Sequence, residues 1–528
     1  MADPDFVTSE HLVDSSNDRE YLSEWPPVND IREESEQFSQ VKRQRLDRPD
    51  HAEEKKHPSV QEIQEEERVL WARPALAKWW RKRQNDPGLK DCTKIPKSDN
   101  PNTLLKYVAS LPTGEVFLKE QINLLKKKII LHPESATHHA ALASYYDLLN
   151  DTSSALSSLN IAAKLDPLSK NIAWLHLKVQ RSKELEDKRR SLQERFLPHP
   201  PADYKMPEPV EVERRHCNTL GAKQFLFDYC ITGIPVIITG LVDTMTTAVW
   251  DFQHIKEVIG NKTATLKRTV KESTEWAKLE PAGNMKISEF IDSLQTLQEP
   301  LYLFDWSIPT HAPDLAKELR IPKYFAGDFL QRTAPGSLYR DSWPSLFIAP
   351  AGLHSDLHVD AFGSNFWMAL FQGRKRWTFF QRKDIPLLYP HYQDSLDLVF
   401  DIDLSCPDLD KYPLLMSAMP RQCTLEPGEL LFVPHGCPHR VENLEDSLAV
   451  SSNFVDLSNL QVVLEELRGN ALIDPRSQDL LLQMTRGDFP VKMFSQQRDL
   501  SWKEFKTWPR VKYKDFDIKT SDLHDYTD

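Results

Sequence analysis

The chain has 528 residues, 40% of them hydrophobic and 27% charged, and its 78 acidic residues outnumber 66 basic ones to give a net charge of −12. That length predicts about two to four domains around at least one sizeable core, and the acidic balance argues against a global nucleic-acid-binding face while leaving local basic patches open. Six cysteines, at 92, 217, 230, 406, 423 and 437, form neither a C-x-x-C pair nor a disulfide framework, which gives no support to zinc or thioredoxin-type chemistry and predicts a reducing, intracellular setting in the nucleus or cytoplasm.

The acidic start Met1-Ala-Asp-Pro-Asp5 has no apolar h-region, so no secretory signal is expected. Residues 1–66 are polar and poor in aliphatics and cannot bury enough apolar surface to offset ordering entropy, which predicts disorder. Within them Lys42-Arg43-Gln44-Arg45 reads either as a nuclear-import signal or as a solvated charge run. From 67 to 190 the pattern turns helical, beginning with Val69, Leu70, Trp71, Leu76, Trp79 and Trp80. Counting from Ala136, Leu142, Ala143, Tyr146, Ala155, Leu159, Ala162 and Pro167 fill the positions of a tetratricopeptide unit, and Ile122 to Pro133 resembles the back half of another. Such a module is either a peptide-docking groove or a set of helical hairpins packed on the neighbouring domain. Residues 191–212, with Leu197-Pro-His-Pro-Pro, are read as a proline-rich linker.

A second domain is expected over 213–460. Phe225-Leu-Phe-Asp-Tyr229 predicts a short helix, and Ile234–Thr239, Pro300–Asp305 and Ser345–Pro350 predict strands. The charge-free stretch Tyr229–Val242 is only 14 residues long and holds Gly233, Pro235 and Gly240, too short and broken to span a membrane. From 345 to about 456 short strands alternate with Gly and Pro, the pattern of a sandwich or barrel. In the extension 461–528 and just before it, Leu460, Val463, Leu464 and Leu467 make an apolar stripe that could pair two subunits in a homodimer.

The chemistry is concentrated in His354-Ser-Asp356-Leu-His358-Val-Asp360 and in His439, about eighty residues downstream. On an extended strand His354, Asp356, His358 and Asp360 would all point the same way, and such a polar row is stable either fully solvated or gathered on a metal. Glu426-Pro427-Gly428-Glu429 has proline and glycine placed for a type II turn. It feeds the strand Leu430–Pro434, which delivers His439, so two imidazoles and a carboxylate become available for a non-haem iron(II) centre. Lys375 lies on a strand pattern with Trp377 and Phe379, where it either projects inward or belongs to a surface Arg-Lys-Arg turn.

The stretches Leu357-His-Val-Asp-Ala-Phe-Gly-Ser364, Trp367-Met-Ala-Leu-Phe-Gln-Gly-Arg-Lys-Arg-Trp377, Glu426-Pro-Gly-Glu-Leu-Leu-Phe-Val-Pro434, His439-Arg-Val-Glu-Asn-Leu444 and Ser451-Ser-Asn-Phe454 resemble the JmjC-domain 2-oxoglutarate oxygenases, in particular their small hydroxylase branch. The resemblance covers about 213 to 460. It implies an α+β multidomain chain in which a double-stranded β-helix (cupin or jelly-roll) domain follows an all-α, tetratricopeptide-like region. The family's lysine follows the metal histidine by seventeen positions, as Lys375 follows His358, so the resemblance assigns the metal to His358, Asp360 and His439. His354 and Asp356 then become supporting or entrance residues.

The resemblance further implies Fe(II), 2-oxoglutarate and O2 as cofactors. Lys375 would hold the distal carboxylate, with Tyr302, Ser355, Ser451 and Asn453 lining the pocket; for Ser355 and Ser451 plain backbone hydrogen bonding is the competing reading. Met368 stands where the lysyl hydroxylases carry asparagine, and Cys437-Pro438 replaces an aromatic pair. The expected activity is hydroxylation of a protein or peptide side chain, lysyl or similar. N-methyl demethylation, a catalytically silent binding protein and an RNA-base oxygenase with a basic mouth (Arg374, Lys375, Arg376, Arg382, Lys383) are the alternatives.

Overall fold

In the computed structural model, residues 114–202, 204–270, 276–334, 336–393, 395–485 and 498–507 are described. The expectations for residues 1–66, for Lys42–Arg45, for the start of the helical region and for the charged end of the C-terminal extension lie outside the described residues.

Four helices open the described chain: α1 (Gly114–Leu131), α2 (Ala136–Leu148), α3 (Thr152–Leu165) and α4 (Lys170–Phe196). Short side chains fix their starts. Ser135, Asp151 and Ser169 each accept a hydrogen bond from a first-turn backbone N–H. Each helix packs on the next, and Leu142, Ala143, Ala155, Leu159 and Ala162 are buried between them. The small residues let α2 and α3 approach closely.

α4 corrects one boundary. It continues through the first residues expected to be linker and stops only at Phe196, because proline first appears at 198. Its polar turns are laced by pairs four apart, Lys183 with Asp187 and Arg190 with Glu186. Its last turns bury Leu192 and Phe196 against Leu357, Phe380 and Leu388 of the following domain. The end of the expected linker is also structured, since Val210 and Glu211 add an edge strand to that domain.

Twelve strands make two facing sheets. In chain order they are β1 (Val210–Glu211), β2 (Arg214–His216), β3 (Val236–Thr239), β4 (Leu303–Ser307), β5 (Ser345–Ala349), β6 (His354–His358), β7 (Asn365–Gln372), β8 (Lys375–Phe379), β9 (Arg421–Leu425), β10 (Glu429–Val433), β11 (His439–Asn443) and β12 (Ser447–Phe454). One sheet runs β1-β9-β8-β11-β6 and the other β2-β3-β10-β7-β12-β5-β4. All pairings are antiparallel except β1 with β9 and β2 with β3.

The larger sheet is covered on both faces, which is why β7 reads as an unbroken apolar run rather than an alternating one. Phe366, Met368 and Leu370 face the smaller sheet, together with Trp377, Phe379, Leu431 and Val441. Trp367 and Ala369 face the other way, into a layer that includes Phe225, Phe290 and Phe325. The Glu426–Glu429 turn forms as its sequence requires: Gly428 has φ +86° and Glu429 N–H donates to the Glu426 carbonyl at 3.1 Å.

The stripe beyond 457 is used within the chain. Helices α5 (Leu460–Asn470) and α6 (Pro475–Thr485) bury Val463, Leu467, Leu480 and Met484 with Phe329, Leu330 and Phe362. The face expected to join two subunits is therefore occupied by the protein's own side chains.

Candidate metal centre

β6 and β11 bring the two histidines together. His358 pairs directly with His439 across the ladder, and their ring centroids lie 4.2 Å apart. Ser355 pairs with Val441, so three steps along β6 match two along β11. This β-bulge overturns the expected single-faced row. Ser355 and His358 are both buried, whereas His354 and Asp356 lie toward solvent. There His354 Nε2 sits 3.3 Å from Asp356, and Lys278 Nζ sits 3.4 Å from the same carboxylate. Asp360 follows the strand end, immediately before a short 3₁₀ turn (Ala361–Gly363).

One potential ligand atom from each of His358, Asp360 and His439 falls within 4.8 Å of the other two. The tautomers suit a metal. His358 Nδ1 is 2.6 Å from the Asp356 carbonyl and His439 Nδ1 is 3.0 Å from the Cys437 carbonyl. A carbonyl only accepts, so each Nδ1 carries the proton and each Nε2 keeps a lone pair. Asp356 thus supports His358 through its backbone and not through its carboxylate.

Burial, with His439 as neighbour, pushes the His358 imidazole down to about 3, and burial pushes His439 down to about 4. Both rings are neutral and ready to ligate at ordinary pH. Burial also lifts the Asp360 carboxyl to about 6, against the opposing effects of His358 and of a hydrogen bond from Asn453. Confined together, these groups suit a divalent cation with nitrogen and oxygen preferences.

Lys375 starts β8 and faces inward with Trp377 and Phe379. Its side chain is fully buried, at 0% exposure, and burial pulls its ammonium down to about 7. Its Nζ lies 5.8 Å from the centroid of the Tyr302 ring and donates to Asn443 Oδ1. Burial raises the Tyr302 phenol well above its ordinary range. Asn443 sits opposite Lys375 in the ladder, four residues along β11 from His439. At the usual strand rise that separation is about 13 Å, which leaves room for a short chain between the ammonium and the metal ligands.

The remaining expected residues line the same space. Ser451 is buried on the inner face beside Met368, its hydroxyl without a hydrogen-bond partner. The Trp377 indole N–H is likewise buried and unpaired, on a ring 5.6 Å from that of His439. Asn453, two residues on from Ser451, donates to Ser364 Oγ at 2.8 Å as well as reaching Asp360. Two orphaned polar groups and a buried ammonium with no carboxylate partner, all on the interior faces of these strands, suit a polar, anionic molecule.

The basic mouth does not form. Lys375 is interior, Arg374 pairs with Glu445, Arg376 pairs with Glu442, and Arg382 donates to His435. Sequence reading missed Asn443 and Trp377, although period-2 counting from His439 and Lys375 puts both on the interior face. It also missed Asp305, whose carboxylate accepts from Trp343 Nε1 at 3.1 Å and acts electrostatically on Asp360. Asp305 has positive φ (52°), as do Tyr339 (68°) and Phe362 (47°), whose rings stack on each other at 4.2 Å and on the Trp343 ring.

Residues 222–459 match the cupin-like domain family. Relatives of this region carry JmjC-type names. It is 29% identical over 238 residues to the lysine-specific demethylase JMJ21 of Arabidopsis thaliana, covering 43% of this chain and 24% of the relative. It is 26% identical over 267 residues to the bifunctional arginine demethylase and lysyl-hydroxylase psr-1 of Caenorhabditis elegans, covering 48% and 63%. A third relative, the 2-oxoglutarate and iron-dependent oxygenase JMJD4 of Gallus gallus, is 26% identical over 265 residues, covering 45% and 59%. Residues 222–459 are a cupin-like domain of the JmjC type. Every expected site residue, Tyr302 included, lies within this matched region, while the chain spans less than two thirds of the length of each of these relatives. Among the described residues no helix is long and apolar enough to cross a membrane.

Proposed function

We propose that the JmjC domain, taken as residues 213–460, is an Fe(II)- and 2-oxoglutarate-dependent oxygenase that hydroxylates a protein side chain, lysyl or similar. The observation that carries the proposal is the buried Lys375 on a strand paired with that of His439, inside the sheet that holds the His358–Asp360–His439 cluster, with no carboxylate of the described residues in an ion pair with it. A buried charge of this kind calls for a mobile counter-ion, and a keto diacid that also chelates the metal supplies one.

In this reading His358, Asp360 and His439 hold iron on one face, and Lys375 binds the distal carboxylate with Tyr302 beside it. Ser451 and the Trp377 indole offer hydrogen bonds within the pocket, Asn453 orients Asp360, and Ser355 lines the wall near His358. When bound, iron with 2-oxoglutarate supplies the oxidation: O2, the diacid and a substrate C–H become succinate, CO2 and C–OH. The chain's own contribution is to hold the diacid end to end, keep both imidazoles unprotonated at Nε2, and exclude water behind Phe366, Met368 and Phe379.

Asp305 favours a basic substrate side chain. Asp305 is exposed as a residue, yet its carboxyl is crowded enough for desolvation to raise it; it is fixed by Trp343 and close enough to Asp360 to raise that group, so it is placed to receive an ammonium or guanidinium entering toward the metal. The names of the relatives include lysine and arginine. Because those names include demethylases, N-methyl removal by the same chemistry is the second reading. We also read α2 and α3 as one tetratricopeptide-like unit that serves as a docking element for a protein partner, and take the nucleus or cytoplasm as its setting.

The test is succinate formation, followed by NMR, from full-length protein with Fe(II), ascorbate, 2-oxoglutarate and lysine- or arginine-containing peptides. Turnover that disappears in His358→Ala supports the proposal. Absence of both turnover and 2-oxoglutarate binding by the Mn(II)-loaded wild type would refute it.

A further inference from the structure

The partner of Lys375 is a neutral amide, although acids are abundant on either side of it. In β11 and the turn that follows, Glu442 and Glu445 point outward and meet Arg376 and Arg374. The residue that points inward between them is Asn443, 1% exposed. Its orientation is fixed by three contacts. Oδ1 accepts from Lys375 Nζ and from Ser447 Oγ at 2.9 Å, and Nδ2 donates to the Leu353 carbonyl at 2.7 Å. The backbone is tied at the same point, with Asn443 N–H donating to the Leu353 carbonyl at 2.9 Å and Gly352 N–H donating to the Asn443 carbonyl at 2.7 Å. One residue thus joins Lys375, the start of β12 and the loop that enters β6.

An amide oxygen satisfies one ammonium hydrogen without cancelling the charge. A carboxylate of nearly the same shape at 443 would cancel it. We propose that Asn443 is a positioning residue that sets co-substrate selectivity: it aims Lys375 into the cavity and leaves its charge for a ligand, so that a diacid is preferred over a monoacid of equal length. The proposal rests on the oxygenase reading above. Ser447 contributes by holding the amide rotamer.

The experiment is calorimetry on full-length, Mn(II)-loaded protein with two probes, 2-oxoglutarate and 2-oxopentanoate, which has the same five-carbon chain but no distal carboxylate. Wild type is expected to prefer the diacid. Asn443→Asp is expected to weaken the diacid by roughly 100-fold, as for loss of a buried charge partner, while the monoacid changes by less than about threefold, so the preference collapses. A general packing defect would weaken both probes alike, and that result, or a preserved preference, overturns the proposal. Should Asn443→Asp fail to fold by near-UV circular dichroism, Ser447→Ala decides. It is expected to lower diacid affinity by roughly fivefold with the monoacid unchanged, and an unchanged diacid affinity counts against the role. Wild type that binds the diacid while Asn443→Asp binds it equally well defeats this inference alone. Wild type that binds neither probe defeats the oxygenase reading and this inference with it.

Discussion

Ser355 and His358 face the same interior although they stand three positions apart, because β6 carries one more residue than β11 between paired positions. The extra residue moves His354 and Asp356 outward and leaves only the second histidine–aspartate pair beside His439. Replacing His358 or His439 by alanine is therefore expected to lower Mn(II) affinity by roughly 100-fold or more and to abolish 2-oxoglutarate turnover. His354→Ala is expected to change metal affinity less than about threefold. Metal titration by electron paramagnetic resonance separates these outcomes, and equal losses for His354 and His358 would contradict the assignment.

Lys375 is a stability liability held for ligand binding. Its folded-state value is depressed to about 7 from 10.5, so its contribution to stability is present above the unfolded value and is lost as pH falls toward the folded value. Lys375→Met removes that cost. The ligand-free variant is expected to be more stable than wild type at pH 7, by on the order of 2 kcal/mol, while 2-oxoglutarate affinity falls steeply. Chemical denaturation at pH 7 checks the first part and calorimetry the second.

The same depression predicts proton-linked binding. Above pH 7 the ligand-free Lys375 is largely neutral, whereas a carboxylate bound beside it favours the ammonium. Diacid binding at pH 8 is expected to take up close to one proton, and at pH 6 close to none from this group. Calorimetry in buffers of different ionisation enthalpy measures the uptake, and uptake that does not grow with pH would sink the prediction.

Asp305→Asn keeps the shape of a side chain that accepts from Trp343 but removes its charge. With a lysine- or arginine-containing substrate KM is expected to rise roughly tenfold or more, while 2-oxoglutarate affinity stays within about twofold. Steady-state kinetics in both substrates gives the split.

Gly373 precedes Lys375 by two residues at φ +76°, and a Cβ there would lie 2.2 Å from the Asp446 carbonyl oxygen. Gly373→Ala is expected to cost about 2–3 kcal/mol and to weaken diacid binding by displacing the start of β8. Thermal denaturation with and without 2-oxoglutarate reads both effects.

Much of this site was legible in the sequence. The alternation of Lys375, Trp377 and Phe379 offered an inward lysine beside the alternative of a surface Arg-Lys-Arg turn, and Pro427-Gly428 gave the turn that launches β10. The bulge in β6 was not legible, because nothing in His-Ser-Asp-Leu-His says where a ladder slips; that is decided by pairing with β11. Asp305 was hidden for a similar reason: it stands at an irregularity of β4, where strand counting fails. α4 outran its expected end because charged residues paired along it sustain a helix as well as they populate a linker. The stripe at 460–467 showed that a face would be buried, but not that Leu480 and Met484 would cover it.

Arg181 on α4 donates to Glu466 on α5 at 2.9 Å, a largely sheltered ion pair between segments 285 positions apart. Together with Leu192 and Phe196, it makes the long helix a brace for the barrel. Trimming the protein back to its oxygenase-like half would strand an acid without its counter-charge and bare a greasy flank, so the helices are best regarded as part of the folding unit rather than a detachable accessory.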